Sequence, residues 1–143
     1  MKGWIYLDTS SFVKILVDEP GSREIRGEVK NNHVVSSAIL SIECFSALWG
    51  KKANGEISGR EFEGMAKSVV DLIRSVEIVS VSGEVLRGAE KIALESGARA
   101  MDAIHISSAL LFLNATSTNL IFTTSDKKQL VAAQLAGLTC SFI

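Results

Sequence analysis

Cysteine is scarce in this chain of 143 residues: only Cys44 and Cys140 are present. That excludes a disulfide-dense secreted scaffold and a cysteine-based zinc cluster. A single proline beside 11 glycines excludes collagen-like and linker composition. No apolar run approaches the ~20 residues of a membrane helix. The most apolar stretch, Ala109–Leu113, meets Asn114 at once. Near the N-terminus, Trp4–Leu7 stops at Asp8. It is far short of the ~7–15 apolar residues of a secretory leader, so no signal peptide is expected and the cytoplasm is the default setting. An excess of charge of one sign is missing too, with 15 Lys plus Arg against 16 Asp plus Glu and a net charge of −1. The overall basic signature of a nucleic-acid-binding domain is absent, which leaves local patches to decide.

Apolar residues make up 47% and charged residues 22%, the composition of a chain with a packed core. The length suits one domain spanning 1–143. A mean hydropathy of +0.27 hints at an oligomer or a bound partner.

Short β-like runs alternate with helical patterns along the whole chain. The runs Trp4–Leu7, His33–Ser36, Glu77–Val81, Asn119–Thr123 and Thr139–Phe142 have the composition of strands buried on both faces. Helices are predicted over 11–18, 21–30, 38–52, 61–75, 84–96, 101–113 and 126–136. The pattern is clearest where Phe62, Met65, Ala66, Val69, Leu72 and Ile73 recur at helical spacing. Pro20-Gly21 breaks the first pair of helices, and Gly97 and Gly137 are predicted stops. The segments 38–52 and 58–75 follow each other without a strand, so one crossover contains a helical hairpin. Strands separated by helices imply parallel pairing and an α/β sandwich.

In open parallel sheets, ligands bind beyond the carboxyl ends of the strands. The first run leads straight into Asp8-Thr9-Ser10, and the fourth into Thr124-Ser125-Asp126. Five aspartates are present, and Asp18 and Asp71 fall on polar helix faces. Asp8, Asp102 and Asp126 do not, and Glu43 has Ile39, Leu40, Ala47 and Gly50 as helical neighbours. Carboxylates in apolar surroundings are costly unless paired or bound to a cation. Clustered ones repel, and a divalent metal removes the repulsion. Mg²⁺ and Mn²⁺ favour oxygen ligands. The expectation is that Asp8, Glu43, Asp102 and Asp126 form one acidic metal pocket, with Thr9, Ser10 and Ser125 orienting a carboxylate or binding metal waters. Such a pocket suits phosphodiester hydrolysis.

Blander roles compete at each position. Asp8 and Asp126 suit helix caps, Asp102 suits a helix-dipole acid, and Glu43 suits a buried pair with Arg or Lys. His105, one turn from Asp102, reads more readily as a buried hydrogen-bonded residue than as a general acid. Trp4 and Trp49 read as packing residues, and the cysteines as small buried hydrophobes. Arg99, Lys127 and Lys128 flank the acids and are possible contacts to a nucleic-acid backbone.

The motifs also resemble a known family. Tyr6-Leu7-Asp8-Thr9-Ser10-Ser11-Phe12-Val13-Lys14, with Asp18-Glu19-Pro20-Gly21-Ser22 after it, resembles the opening of PIN-domain proteins, above all the VapC-type toxins of toxin–antitoxin systems. Ser41-Ile42-Glu43-Cys44, Ala100-Met101-Asp102-Ala103-Ile104-His105 and Thr124-Ser125-Asp126-Lys127-Lys128-Gln129-Leu130 resemble the second, third and fourth motifs, in family order. The resemblance implies a PIN-like three-layer α/β/α sandwich with a parallel sheet of four to five strands. It implies a Mg²⁺- or Mn²⁺-dependent endoribonuclease whose acids match Asp8, Glu43, Asp102 and Asp126 and whose hydroxyls match Ser10 and Ser125. It also implies an RNA substrate, a cognate antitoxin and a homodimer. Some relatives carry a further acid after the fourth motif, where Lys127 and Lys128 stand here.

Other classes fit less well. A non-catalytic PIN-like binding module is the main alternative. A receiver-type phospho-acceptor domain needs an acid ending the middle strand, where Val81-Ser82 stands. A haloacid dehalogenase-type phosphatase wants Asp where Ser10 stands. Neither Gly-rich nucleotide fingerprint is present.

Overall fold

The computed structural model describes residues 2–143. The chain runs β1 (Trp4–Leu7), α1 (Thr9–Leu16), α2 (Ser22–Asn31), β2 (His33–Ser37), α3 (Leu40–Ala53) and α4 (Gly59–Ile73). It continues with β3 (Glu77–Val79), α5 (Gly83–Ser96), α6 (Ala100–Thr116), β4 (Leu120–Thr124), α7 (Lys127–Leu135) and β5 (Thr139–Phe142). The five strands form one sheet in the order β3-β2-β1-β4-β5, and every pair is parallel.

Alternation along β1 builds the three layers. Ile5 and Leu7 face one side, where they join Phe12, Ile25, Leu40, Leu48 and Val69 from α1–α4. Tyr6 faces the other side, with Val85, Ile92, Ile106, Phe122 and Ala133 from α5–α7 and β4. Both clusters are built of buried apolar side chains, as a sheet covered on both faces requires.

Most differences from the sequence pattern lie at element ends. The helix predicted from 61 starts at Gly59, because Ser58 and Glu61 form a reciprocal capping box. The helix predicted from 11 starts at Thr9, because the Asp8 side chain caps it. Gly97 stops α5 as expected, at φ 69° and ψ 15°, a conformation only glycine adopts cheaply. The third strand ends at Val79 rather than Val81. Burial on both faces fails there: β3 is an edge strand with Glu77 and Ile78 exposed, and only Val79 packs, partly buried, against the core. Among the described residues no helix is long and apolar enough to cross a membrane.

The topology positions the site. From β1 the chain moves to β2 and β3 on one side, then crosses back to β4 and β5 on the other. Strand order therefore reverses between β1 and β4, and a crevice opens beyond their carboxyl ends.

Candidate active site

Asp8 follows β1 directly and is 3% exposed. Its Oδ1 accepts from the Ser11 amide at 3.0 Å and lies within bonding distance of the hydroxyls of Ser10, at 2.8 Å, and Ser11, at 3.0 Å. Its Oδ2 accepts from the Thr124 hydroxyl. Register explains that contact. Leu7 pairs with Thr123, so the next residues, Asp8 and Thr124, stand opposite each other. Ser10 also accepts from the Ser125 amide at 3.0 Å, and Thr124 from the Asp126 amide at 3.1 Å. The Asp8–Thr124 and Ser10–Ser125 bonds sew the β1–α1 turn to the β4–α7 turn across the switch point, and the Thr124–Asp126 bond braces the second turn.

Asp126 caps α7, its Oδ1 accepting from the amides of Lys128 at 2.8 Å and Gln129 at 3.4 Å. Asp102 lies in the first turn of α6 and is partly buried. No donor reaches its carboxylate among the described residues. Burial, and next to it the charges of Asp126 and Asp8, push its pKa above the usual value; His105 opposes this and Glu43 adds to it. The Gln129 side chain donates from Nε2 to the Asp102 backbone carbonyl at 3.1 Å and ties α7 to α6.

Glu43 sits in the first turn of α3. Its Oε1 accepts from the Thr9 hydroxyl at 2.7 Å and lies 2.7 Å from His105 Nε2. Burial raises its pKa, but the bonds to His105 and Thr9 outweigh that and hold the carboxyl below its ordinary range. Its partner is thus a histidine, not the Arg or Lys of the simple buried pair. His105 is 1% exposed, and its Nδ1 lies 2.8 Å from the Tyr6 hydroxyl. Burial keeps Tyr6 well above the usual phenol range and pushes the Cys44 thiol up to about 12.

The structure places Asp8 and Asp126 beyond the ends of neighbouring strands, Asp102 beside Asp126 in the lining of one cavity, and Glu43 on Thr9, the residue after Asp8. The charges of the other three acids add to the rise at Asp102. The hydroxyls of Thr9 and Ser10 reach acids. That of Ser125 does not: it is buried without a partner, one residue past the point where the register meets Asp8. Thr124 and Ser11 take that part instead. The sequence pattern singles out neither, because only the strand register selects one hydroxyl from Thr123-Thr124-Ser125, and Ser11 stands beside Ser10 at Asp8 rather than in its place.

A cavity of about 800 Å³ opens between the starts of α6 and α7. Asp102 and Asp126 line it with Arg99, Lys127, Lys128 and Gln129. The two lysines and Arg99 are exposed, so cationic groups ring a cavity that the acids enter. Asp18 and Asp71 lie elsewhere, in exposed pairs with Arg26 and Arg74.

No three His, Cys, Asp or Glu side chains close into a ready-made metal cage among the described residues. The donor set still suits a hard cation. It is all carboxylate at the rim, one member is unpaired, and mutual repulsion is relieved by positive charge. Mg²⁺ keeps several waters and takes one or two carboxylates directly, so a closed protein cage is not its habit.

A doubly wound parallel sheet with carboxylates crowded at its switch point defines an α/β protein with a polar ligand site at that crevice. The family model of the PIN domain matches residues 5–135, and the chain belongs to the PIN domain family. It is 33% identical over 107 residues to Ribonuclease VapC46 of Mycobacterium tuberculosis (strain ATCC 25618 / H37Rv), covering 73% of each chain. Its fold is similar to that of VapBC2 from Rickettsia felis bound to a DNA fragment from their promoter, with TM-score 0.65 and 16% identity over 97% of this chain and 98% of that one. It is similar also to VapBC-1 from nontypeable Haemophilus influenzae, with TM-score 0.65 and 16% identity over 97% of both chains.

Proposed function

We propose that this chain is a divalent-metal-dependent endoribonuclease, the toxin of a VapBC-type toxin–antitoxin pair. The observation that carries the reading is Asp102: an unpaired, partly buried carboxylate facing the charges of Asp126, Asp8 and Glu43. The family and the curated ribonuclease relative support the same assignment. Asp8, Glu43, Asp102 and Asp126 would hold Mg²⁺ or Mn²⁺, which when bound supplies charge neutralisation and an acidified water for phosphodiester hydrolysis.

The remaining work belongs to the chain's own groups. The hydroxyls of Ser10 and Thr124 and the Ser11 amide hold Asp8 in one rotamer. Thr9 and His105 hold Glu43. Arg99, Lys127 and Lys128 bind backbone phosphates of RNA and guide the strand over the cavity toward the acids. The chain acts as one domain in the cytoplasm, with a homodimer and an antitoxin as its assembly. Exposed Ile42 and Trp49, two turns apart on α3, support a protein partner, since large apolar side chains on one helix face favour being covered.

The test is cleavage of purified total RNA with Mg²⁺ or Mn²⁺, beside EDTA and the Asp8→Asn protein. Discrete fragments that vanish in both controls are expected. Folded native protein that binds Mn²⁺ and leaves every RNA intact would shift the assignment to a non-catalytic binding module.

A further inference from the structure

We infer that His105 is a positioning residue: a hydrogen-bonded line from Tyr6 through His105 fixes Glu43 with one carboxylate oxygen spent and the other presented to the acidic crevice. The inference rests on the metal-nuclease reading above and deepens it.

Bond accounting supports it. The Thr9 hydroxyl gives its hydrogen to Glu43 Oε1 at 2.7 Å. Toward His105 Nε2, 3.2 Å away, Thr9 then only accepts. The second neighbour of Nε2 is Glu43 Oε1, at 2.7 Å, also an acceptor. Nε2 therefore carries the ring hydrogen. In a neutral imidazole that leaves Nδ1 as an acceptor, and the Tyr6 hydroxyl stands 2.8 Å from it as the donor. Every group in the line is satisfied in one arrangement.

Burial makes the arrangement rigid. Tyr6 is 0% exposed and His105 1% exposed. The two rings meet edge to face at 5.8 Å, and Tyr6 stacks on Phe122 at 5.2 Å. Tyr6 lies on the central strand and His105 on α6, one turn beyond Asp102. The line thus couples the sheet and the helix that carries Asp102 to the helix that carries Glu43. At 1% exposure, with both ring nitrogens within bonding distance of protein groups, His105 is placed to position Glu43 rather than to meet substrate. Both donors converge on Oε1, so Oε2 has no partner among the described residues and is the oxygen left for a cation. Outer groups that orient a ligand commonly change metal affinity or activity about 10–100-fold.

The test compares native protein with Tyr6→Phe, His105→Ala and His105→Gln. Each is stripped with EDTA and titrated with Mn²⁺ by electron paramagnetic resonance, then assayed on an RNA that the native enzyme cuts. Tyr6→Phe keeps the buried ring and its stacking, so it reports on the hydroxyl even where His105→Ala fails to fold. Expected are about tenfold weaker Mn²⁺ binding in Tyr6→Phe and about 10–100-fold weaker binding in His105→Ala. In both, kcat should fall while KM for RNA holds, because the basic residues at the cavity are untouched. His105→Gln retains an N–H for Glu43 and should recover part of the loss. Folded Tyr6→Phe and His105→Gln that match native Mn²⁺ affinity and kcat would overturn the inference while leaving the nuclease reading intact. A native protein that binds no Mn²⁺ would overturn both.

Discussion

Asp102 lines the cavity with no donor on its carboxylate among the described residues, while Asp8 accepts from the hydroxyls of Ser10 and Thr124 and from the Ser11 amide. The two acids therefore respond differently to substitution. Burial and the neighbouring acids raise the pKa of Asp102 in the folded state, so its ionisation opposes folding. At acid pH, below the ordinary carboxylate range, native protein and Asp102→Asn should be equally stable. As pH rises from the ordinary carboxylate range through the raised one, the native protein should lose stability relative to the variant. Urea denaturation in EDTA across that range measures the gap, and the same variant should lack metal-dependent cleavage. A native protein more stable than Asp102→Asn at neutral pH would contradict this. The four acids are legible in the sequence because strand ends and apolar helix faces are unusual places for carboxylates. Thr124 and the Glu43–His105–Tyr6 line are not. Their bonds cross 116, 62 and 99 positions of chain, and only the folded register brings them together.

At the level of elements, the helix starts decide both shape and site. Asp8 and Asp126 cap α1 and α7 while facing the crevice, so capping and the proposed metal role coincide in the same carboxylates. Ser58 and Ser82 cap α4 and α5 and carry no acid into the site. Ser58→Ala should cost about 1 kcal/mol in stability. Its cleavage rate per folded molecule should stay native, whereas Asp8→Ala should lose both stability and cleavage. Thermal melts beside single-turnover kinetics separate the two cases. Hydrophobic patterning, together with breaks such as Pro20-Gly21 and stops such as Gly97 and Gly137, locates the seven helices and five strands seen among the described residues. It misses helix ends by one to three residues, because a polar cap such as Ser58 or Asp8 begins the helix before the first apolar residue. It also extends β3 through Ser80 and Val81, although an edge strand loses its pairing where its one neighbour ends.

Across the whole molecule, net charge is close to zero, yet its distribution is not even. Acids gather at the switch point, and Arg99, Lys127 and Lys128 ring the adjoining cavity. Association with RNA should therefore depend on that local patch. Replacing Lys127 and Lys128 with Gln should raise KM for RNA and flatten its salt dependence, by about 1 in the log–log slope for each phosphate left without its cation. Initial rates across a salt series test this, and an unchanged slope would place the RNA elsewhere. The proposed chemistry stands or falls with the four carboxylates of the switch-point crevice acting together on one divalent cation or a pair of them. The decisive measurement is Mn²⁺ titration of EDTA-stripped native protein, with Asp8→Asn and Asp102→Asn in parallel. Saturable binding by the native protein, weakened at least about tenfold by either substitution, is expected. Native protein that binds no Mn²⁺, or binds it equally well without Asp8 and Asp102, would refute the shared cation site.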